Sequence, residues 1–493
     1  MKIMFINPKL PVFLRMPTIP LGLVSIASYM QAYGYEVTIV ERSVQKTDLR
    51  KELERFKPDI VGITALSFST SPDSIKVTKY IHAHYPGVPV VWGGVATSAM
   101  PELCLRKEGM DFLILGEGEI TWKEFAEAWA GDRDFKNIKG LAYLDGDTYV
   151  CNPIRPVADL TTFPELDWTL VTPQKYFSSF FHCTKMLYLH ASKGCPASCT
   201  FCANKQVHQG KNRCRKPEHV MHDIEYLVGT CGADGIYFSD EQFLPNRQIR
   251  NELLGMMIDS GLQFVWGCQM RLGLLKPEDV DYMYRAGCRW ILFGIESGDP
   301  DMIRTIKKGI NLDLAKPTID YCRKIGMTVQ ASFIIGFPDE TEEQVKRTVA
   351  LAKELSSAMP VLNILTILPN SEIYFHQVET NPDFKPPQSI SELIKYEKTL
   401  TDNPSFNPSK VPYRDLKVIH HYFQWKDFSG KDSVAGDRFG IVKKLARDTF
   451  IRLFKHGIFG FFYGGFNSVK QFVTVFYYSH CFPSIMKKYG LKP

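Results

Sequence analysis

The chain has 493 residues, which is long enough for two or three domains. Hydrophobic residues make up 45% of it and charged residues 23%, which are ordinary fractions for a soluble globular protein. No run of about 18 uncharged apolar residues occurs, and no basic segment with a longer apolar run opens the chain, so we expect neither a transmembrane helix nor a signal peptide but a cytoplasmic protein.

The first 130 residues alternate between strand-like and helix-like segments. The predicted strands are Lys2–Asn7, Glu36–Glu41, Asp59–Leu66, Pro89–Trp92 and Asp111–Leu115. The predicted helices are Pro20–Gly34, Leu49–Phe56 and Ser71–Tyr85. This rhythm predicts a doubly wound, Rossmann-like parallel sheet, whose ligands bind at the carboxyl ends of the strands.

Three loops at those strand ends have compositions that suit a ligand. One is rich in hydroxyl groups, one is a glycine pair that lets the backbone approach a flat molecule, and one reads Gly-Glu-Gly-Glu. Their candidate binding residues are Ser67, Ser69, Gly93, Gly94, Glu117 and Gly118. A simple tight turn is the alternative for each loop, and the absence of G-x-G-x-x-G after the first strand argues against NAD or FAD.

The order of these pieces resembles the cobalamin-binding domain that precedes many radical S-adenosylmethionine (SAM) cores. The matching pieces are Asn-Pro after the first strand, Pro-Leu-Gly-Leu in the first helix, Gly-Gly and Gly-Glu-Gly-Glu. The D-x-H-x-x-G signature is missing, and Ala96 stands where a His often follows the glycine pair. The resemblance therefore implies cobalamin bound without an axial histidine, and a degenerate domain that no longer binds cobalamin is the alternative.

Cys195, Cys199 and Cys202 form a C-x₃-C-x₂-C run with Phe201 just before the third thiol. Three thiolates on one loop can hold three irons of a 4Fe–4S cluster and leave the fourth open. A zinc site completed by Cys214 is the alternative, although no second C-x₂-C-like pair follows; a disulfide framework is disfavoured in so long a chain without a secretory signal. The spacing resembles the cluster loop of the radical SAM superfamily, which implies that SAM binds the open iron and that Phe201 lies at the cofactor.

After the cluster loop the alternation resumes. The predicted strands, counting one before the loop, are Leu187–His190, Gly235–Ser239, Phe264–Gln269, Trp290–Gly294, Thr328–Ile335 and Leu362–Leu368. They predict a partial (β/α)6 barrel with its active groups at the carboxyl ends of the strands.

Sequence runs at these strand ends resemble radical SAM segments in order and distance. The resemblance implies that Asp240 or Glu241 accepts a hydrogen bond from the SAM ammonium and that Arg271 pairs with its carboxylate. The implied contacts to the ribose and adenine are Glu296, Ser297, Ile334 and Gly336. Each run taken alone is also compatible with an ordinary helix cap or turn. Pro369-Asn370-Ser371-Glu372 departs from the Pro-Gly-Thr-Glu of many relatives at a loop expected to border the substrate.

The C-terminal part loses the alternation, and helices are predicted at Ser391–Leu400 and Tyr413–Trp425. Residues 439–493 carry a net charge of +8 and many aromatics, whereas the rest of the chain sums to −2. A helical cap over the barrel, a peripheral membrane anchor on anionic lipid and a nucleic-acid surface are the three interpretations. The aromatics cluster too apolarly for an exposed stacking platform, so we expect no nucleic acid.

The sequence thus predicts four parts in an α/β fold. These are a Rossmann-like cobalamin-binding domain (residues 1–135), a linker (136–184), a radical SAM core (185–375) and a mostly helical extension (376–493). The family resemblance implies reductive cleavage of SAM to a 5′-deoxyadenosyl radical and methylation of an unactivated carbon through methylcobalamin. It also implies an external donor of the flavodoxin or ferredoxin type, low oxygen, and a small-molecule or lipid-like substrate.

Three other functions stay open at this point. The same architecture resembles the anaerobic magnesium-protoporphyrin monomethyl ester cyclases, so oxidation, cyclisation or rearrangement is the runner-up. A tRNA methylthiotransferase would need a second cluster loop in the N-terminal domain, where Cys104 stands alone. A non-enzymatic cobalamin or redox sensor would need an output domain, and none is recognisable.

Overall fold

The computed structural model describes residues 1–10, 18–65, 70–355, 359–389, 392, 406–429, 477–478 and 481–491. The chain divides into two compact units. Unit 1 is Met1–Trp266 with Ile367–Asp402, and unit 2 is Gly267–Thr366 with Asn403–Pro493. Within the described ranges no helix is long and apolar enough to cross a bilayer. The predicted domain boundaries stay predictions.

Unit 1 opens with a seven-stranded sheet in the order β2-β1-β3-β4-β5-β6-β7. The strands are β1 (Lys2–Asn7), β2 (Glu36–Glu41), β3 (Ile60–Thr64), β4 (Val90–Gly93), β5 (Phe112–Ile114), β6 (Leu141–Asp145) and β7 (Thr148–Cys151). The first five pair in parallel, and β6 and β7 add an antiparallel hairpin to the β5 edge. The doubly wound parallel sheet is confirmed, with an antiparallel extension that was not predicted.

Helices cover both faces of this sheet. They are α1 (Leu21–Ala32), α2 (Leu49–Phe56), α3 (Ser71–His84), α4 (Val95–Ala99), α5 (Pro101–Glu108) and α6 (Glu119–Ala130). Successive residues of a strand point to opposite faces, and β1 shows the result. Ile3 and Phe5 lie in one core cluster with Trp122, whereas Met4 and Ile6 lie in the other with Trp92. The fully apolar strands therefore follow from burial on both faces.

The rest of unit 1 carries the cluster loop. Three 3₁₀ helices (Leu160–Thr162, Trp168–Leu170, Pro173–Tyr176) lead into β8 (Ser178–Phe180), β9 (Cys183–Leu189), β10 (Ser192–Lys193), β11 (Arg213–Cys214) and β12 (Gly235–Phe238). The helices are α7 (Asn204–His208), α8 (Pro217–Ile224), continued by a π-helical turn at Glu225–Thr230, and α9 (Arg247–Asp259). Strands β9 and β12 pair in parallel, and β10 and β11 form a short antiparallel hairpin. The boundary between the units falls within β13 (Val265–Arg271).

Unit 2 continues the alternation of strands and helices. Its strands are β14 (Cys288–Glu296), β15 (Thr328–Ile335) and β16 (Met359–Ile364), which pair in parallel. Its helices are α10 (Pro277–Arg285), α11 (Pro300–Thr305), α12 (Ala315–Lys324) and α13 (Glu342–Glu354), and later α15 (Tyr413–Ser429) and α16 (Pro483–Lys488). Helix α14 (Glu372–Thr380) belongs to unit 1. Six strands, β9 and β12 to β16, thus alternate with helices in the predicted order.

A charge cluster fastens the last described segment within unit 2. The Lys488 ammonium lies 3.0 Å from the Asp415 carboxylate and also pairs with Glu342. Tyr489 donates its hydroxyl to Asp415 at 3.3 Å, and Lys353 donates to the Gly490 carbonyl at 2.6 Å. The predicted helix at Ser391–Leu400 and the aromatic run of the tail lie almost wholly outside the described residues.

Candidate cofactor site

Cys195, Cys199 and Cys202 lie on one loop between β10 and α7, and all three are partly exposed. The Cys202 N–H donates to the Cys199 carbonyl at 3.2 Å, and the Asn204 N–H donates to the Cys202 sulfur at 3.4 Å. The Cys195 sulfur lies 3.5 Å from the Gln242 side-chain oxygen. Among the described residues no three His, Cys, Asp or Glu side chains are grouped as ligands of a single metal ion. The loop nevertheless offers the accessible sulfur donors that iron–sulfur clusters use.

Asp240, just after β12, holds the segment that leads into this loop through hydrogen bonds. Its carboxylate accepts hydrogen bonds from the Ala191 N–H at 3.2 Å, from the Ser192 hydroxyl at 2.6 Å and from the Ser192 N–H. The residue is fully buried, and burial raises the pKa of its carboxyl to about 7 although these donors favour the charged form. In this structure Asp240 holds the cluster strand, and its predicted contact with the SAM ammonium stays a prediction.

Glu241, whose side chain is partly exposed, belongs to a network of charges centred on His208. The Glu241 carboxylate accepts from the Gly194 N–H at 2.8 Å and lies 3.2 Å from His208 Nε2. On the other side of the ring, His208 Nδ1 lies 2.9 Å from the Glu117 carboxylate, which also accepts from Arg213 at 2.8 Å. The histidine therefore connects the Gly-Glu-Gly-Glu loop to Glu241, which in turn holds the residue before Cys195.

The pKa values in this network follow from its contacts. Burial alone would lower the pKa of His208, but its hydrogen bonds to Glu117 and Glu241 and their charges raise it to about 9. Burial alone would raise the pKa of both carboxyls, but Arg213 and His208 at Glu117, and His208 at Glu241, hold each pKa at about 2. His208 is accordingly an imidazolium between two carboxylates at neutral pH.

A second ion pair joins the same two loops. The Lys193 ammonium lies 2.8 Å from the Glu119 carboxylate, which also accepts from the Ser25 hydroxyl at 2.6 Å. Glu119 is almost fully buried, and the pKa of Lys193 is raised because the charges of Glu119 and Glu117 outweigh its burial. Both carboxylates of the Gly-Glu-Gly-Glu run thus pair with basic residues near the cluster loop.

A cavity of about 240 Å³ within unit 1 lies beside these pairs. Of the residues singled out in the sequence it is lined by Gly93, Gly94, Glu117, Gly118 and Glu241. Other lining residues that carry charge or an imidazole are Glu119, His190, Lys193, His208 and Arg215. The cavity therefore brings the glycine loops of the N-terminal sheet and the hairpin of the cluster loop to one place.

Steric crowding explains why glycine stands at two positions on the cavity wall. Gly94 has a φ of +124°, and a Cβ there would lie 2.6 Å from the Ala65 carbonyl oxygen. A Cβ on Gly118 would lie 2.9 Å from the Ile26 side chain. At Gly94 the close atoms belong to the backbone, so a side chain there would displace the loop, whereas at Gly118 the Ile26 side chain would have to move.

The remaining SAM candidates lie in unit 2 and have partners of their own. Glu296 accepts from the Lys308 ammonium at 2.7 Å, and the Ser297 hydroxyl lies 3.1 Å from that of Thr348. Arg271 donates to the Gly309 carbonyl at 2.9 Å and also to that of Lys308. These roles stay predictions.

Ile334 and Gly336 stand at the end of β15, where Ile334 is half-buried and Gly336 has a φ of +90°. The Gly336 N–H donates to the Glu340 carboxylate at 2.5 Å, and the Phe337 N–H donates to the same oxygen at 3.1 Å. Glu340 is fully buried, and burial raises its pKa to about 7. Ser67 and Ser69 lie outside the described residues, and Phe201 is half-buried on the cluster loop.

Sequence reasoning missed the residues that join the two loops, namely Lys193, His208, Arg213 and Glu119. Their partners lie 74 to 96 positions away along the chain, too far for any periodicity to connect them. The available signal was charge, because Lys193 and Arg213 flank the cluster motif while the Gly-Glu-Gly-Glu run is acidic. That signal indicates complementary loops but not which residues pair.

Two family matches cover the two folded regions. Residues 14–126 match the B12 binding domain, and residues 189–352 match the Radical SAM superfamily. An uncharacterized methyltransferase of Pyrococcus horikoshii is 30% identical over 73% of this chain and 79% of its own length. The anaerobic magnesium-protoporphyrin IX monomethyl ester cyclase of Rubrivivax gelatinosus is 25% identical over 72% of this chain and 65% of its own length.

A solved structure supports the same architecture. The radical SAM methyltransferase TsrM of Kitasatospora setae, with cobalamin and a 4Fe–4S cluster bound, superposes with a TM-score of 0.64 at 18% identity. The match covers 78% of this chain and 76% of TsrM, and at this identity it speaks for the fold, a Rossmann-like domain followed by a partial barrel. The chain belongs to the radical SAM enzymes that carry an N-terminal B12-binding domain.

Proposed function

We propose that this protein is a cobalamin-dependent radical SAM methyltransferase that methylates an unactivated carbon. The observation that carries the proposal is the shared cavity of unit 1. There the glycine loops of the B12-binding region meet the hairpin that leads into Cys195, joined by the Glu117–Arg213 and Glu119–Lys193 pairs. A methyl carrier and a source of radicals have to act on the same carbon, which requires this closeness.

The residues present fit the cofactors that this function needs. The three partly exposed thiols are the donor set of a cluster with an open iron. The cavity beside them is walled by Gly93, Gly94 and Gly118, and a Cβ on Gly94 or Gly118 would meet neighbouring atoms. When bound, the 4Fe–4S cluster and SAM supply a hydrogen-abstracting radical, and cobalamin supplies the methyl group.

The protein's own residues position these groups. Cys195, Cys199 and Cys202 would hold the cluster. Asp240 and Glu241 fix the backbone on either side of Lys193 through Ser192 and Gly194, so the cluster loop is held before any ligand arrives. The exposed surface of the cavity is mostly apolar, which suits the large apolar face of a corrin ring.

Oxidation or cyclisation is the second candidate. The cyclase from Rubrivivax gelatinosus matches nearly the same share of the chain as the methyltransferase from Pyrococcus horikoshii. The Pro369–Glu372 loop is one place where the two reactions can diverge. Asn370 there has a φ of +68°, which Asn tolerates, and its side chain donates to the Ser98 carbonyl of α4 at 3.1 Å.

The test is product analysis under strict anaerobiosis. The protein is reconstituted with iron, sulfide and cobalamin and given SAM, a strong reductant and a candidate substrate, with Cys199→Ala as the control. We expect S-adenosylhomocysteine and 5′-deoxyadenosine in similar amounts from the wild type and neither from the variant. Deoxyadenosine alone would contradict methyl transfer to that substrate and favour oxidation or cyclisation.

The finer expectations remain part of this proposal. A small-molecule or lipid-like substrate, a flavodoxin- or ferredoxin-type electron donor and work at low oxygen follow from the radical chemistry. Contact of the basic, aromatic tail with anionic lipid rests on its composition alone, because most of that tail lies outside the described residues.

A further inference from the structure

His190 presents an unbonded imidazole to the cavity of unit 1. The residue directly follows β9 and lines the cavity together with Gly93 and Gly94. Among the described residues its contact with Arg215 is made by the backbone, because the His190 carbonyl accepts from the Arg215 guanidinium at 3.0 Å, and no side chain bonds the ring. Neither ring nitrogen is a fully buried atom without a hydrogen-bond partner, so both keep some exposure to the cavity. The imidazole is therefore reachable from the cavity and available to a ligand.

The charges around this ring keep it neutral. Burial is the main reason that the pKa of His190 falls to about 4, and the positive charges of Lys193, Arg215 and His208 act in the same direction. Glu241 acts in the opposite direction and is outweighed. A neutral imidazole has one N–H donor and one nitrogen acceptor.

The protein leaves the ring without a side-chain partner at the cavity wall, so a ligand in the cavity can make the hydrogen bond that the protein does not. The periphery of the corrin in cobalamin is surrounded by primary amides, each of which both donates and accepts. An imidazole with one donor and one acceptor matches such an amide. A carboxylate or phosphate would instead favour the cationic groups nearby.

We propose that His190 is a positioning residue for cobalamin and that its imidazole hydrogen-bonds an amide of the corrin ring. This assignment rests on the proposed function, because it needs cobalamin in this cavity. In this proposal two parts of unit 1 contact the same cobalamin. The glycine loops do so from the B12-binding part, and His190 does so from the end of β9 in the radical SAM part. It also separates His190 from cobalt ligation, for which the chain offers no D-x-H-x-x-G histidine.

The experiment measures equilibrium binding of hydroxocobalamin by absorbance, without SAM or turnover. His190→Phe keeps a ring and removes both nitrogens, and His190→Gln restores an amide that donates and accepts. We expect about tenfold weaker binding for His190→Phe, the size of one hydrogen bond to a buried group, and partial recovery for His190→Gln. His219→Phe, a half-buried histidine of the same unit that does not line the cavity, should bind like the wild type.

Two further measurements show which part of cobalamin His190 contacts. Cobinamide keeps the corrin amides but lacks the nucleotide, so it should lose the same factor with His190→Phe. Electron paramagnetic resonance of bound cob(II)alamin should show no nitrogen splitting from the protein that depends on His190. Equal affinity of wild type and His190→Phe, a loss confined to cobalamin, or a His190-dependent nitrogen splitting would each overturn the inference.

Failure of the inference differs from failure of the proposed function. If the wild type binds no cobalamin, the proposed function fails before His190 is tested. If the wild type binds it and His190→Phe binds equally, only the role of His190 fails. The melting temperature of each apo variant shows whether a lost affinity reflects misfolding instead.

Discussion

His208 shows how one side chain can link two distant loops through its charge. One ring nitrogen lies at the Glu117 carboxylate and the other at the Glu241 carboxylate, and the ring stays protonated because it is held between these two negative charges. A residue whose folded pKa is raised stabilises the fold most at low pH. This makes the contact testable without any cofactor.

His208→Gln should remove a stabilisation that depends on pH. The folded pKa of about 9 lies above the ordinary value of 6.5, so the folded state binds more protons than the unfolded state between them. The contribution, up to about 3 kcal/mol, is complete below about pH 6.5 and is lost as the pH rises through about 9. The melting temperature of the variant should therefore fall well below that of the wild type at pH 6.5 and approach it at pH 9.

The exposed residue His84 supplies the control for this comparison. His84→Gln should track the wild type at both pH values, since that ring lies on the surface of α3. A gap between His208→Gln and the wild type that is the same at pH 6.5 and pH 9 would show that His208 acts through packing rather than through its charge.

The cluster loop is the element whose backbone is most tightly specified. Gly194 precedes Cys195 with a φ of +87°, and a Cβ there would lie 2.1 Å from the Lys211 carbonyl oxygen and 2.8 Å from the His208 side chain. The backbone clash leaves no simple relaxation, so an alanine has to displace the loop. The thiol spacing that the cluster needs depends on that position.

Gly194→Ala should thus lose the cluster. We expect the iron and sulfide content per chain after reconstitution to fall to a small fraction of the wild-type value. Gly210→Ala is the matched control, because its φ of +66° imposes similar strain, about 1 kcal/mol, but no atom of the described residues lies within 4 Å of the new Cβ. If Gly210→Ala loses as much iron as Gly194→Ala, the clash is not the cause.

Secondary-structure elements with a clear hydrophobic period could be predicted from the sequence, whereas very short ones could not. Thr328–Ile335 was predicted and is observed as β15, because its apolar residues recur at every second position between Gly326 and Gly336. The hairpin of β6 and β7 lies wholly within the predicted linker, and β10 and β11 have two residues each, too few to show any alternation. Strand β16 begins three residues before the predicted start, since a long apolar run does not indicate where pairing begins.

For the whole molecule, the order of the domains and the family could be predicted from the sequence, but the arrangement of the candidate site could not. The cysteine spacing and the glycine loops point to two cofactors because each motif is local. The cavity that joins them depends on Glu117 with Arg213 and Glu119 with Lys193, pairs that exist only once the chain has folded. The cavity is therefore a property of the folded unit 1 rather than of either motif.

Cobalamin should stabilise the whole of unit 1 and not only its binding loops. A ligand that binds only the folded state adds about 2.7 kcal/mol at a hundredfold excess over its Kd, which corresponds to a rise of several degrees in melting temperature. Gly93 lines the cavity, and its Cβ position has ordinary contacts of 3.5 Å and 3.9 Å, so Gly93→Leu should fold and yet fill the binding space. We expect hydroxocobalamin to raise the melting temperature of the wild type and of the surface control Gly87→Leu, but not that of Gly93→Leu. A wild type that shows no rise would mean that the N-terminal domain has kept its fold and lost its cofactor, and the methyl-transfer proposal would fall with it.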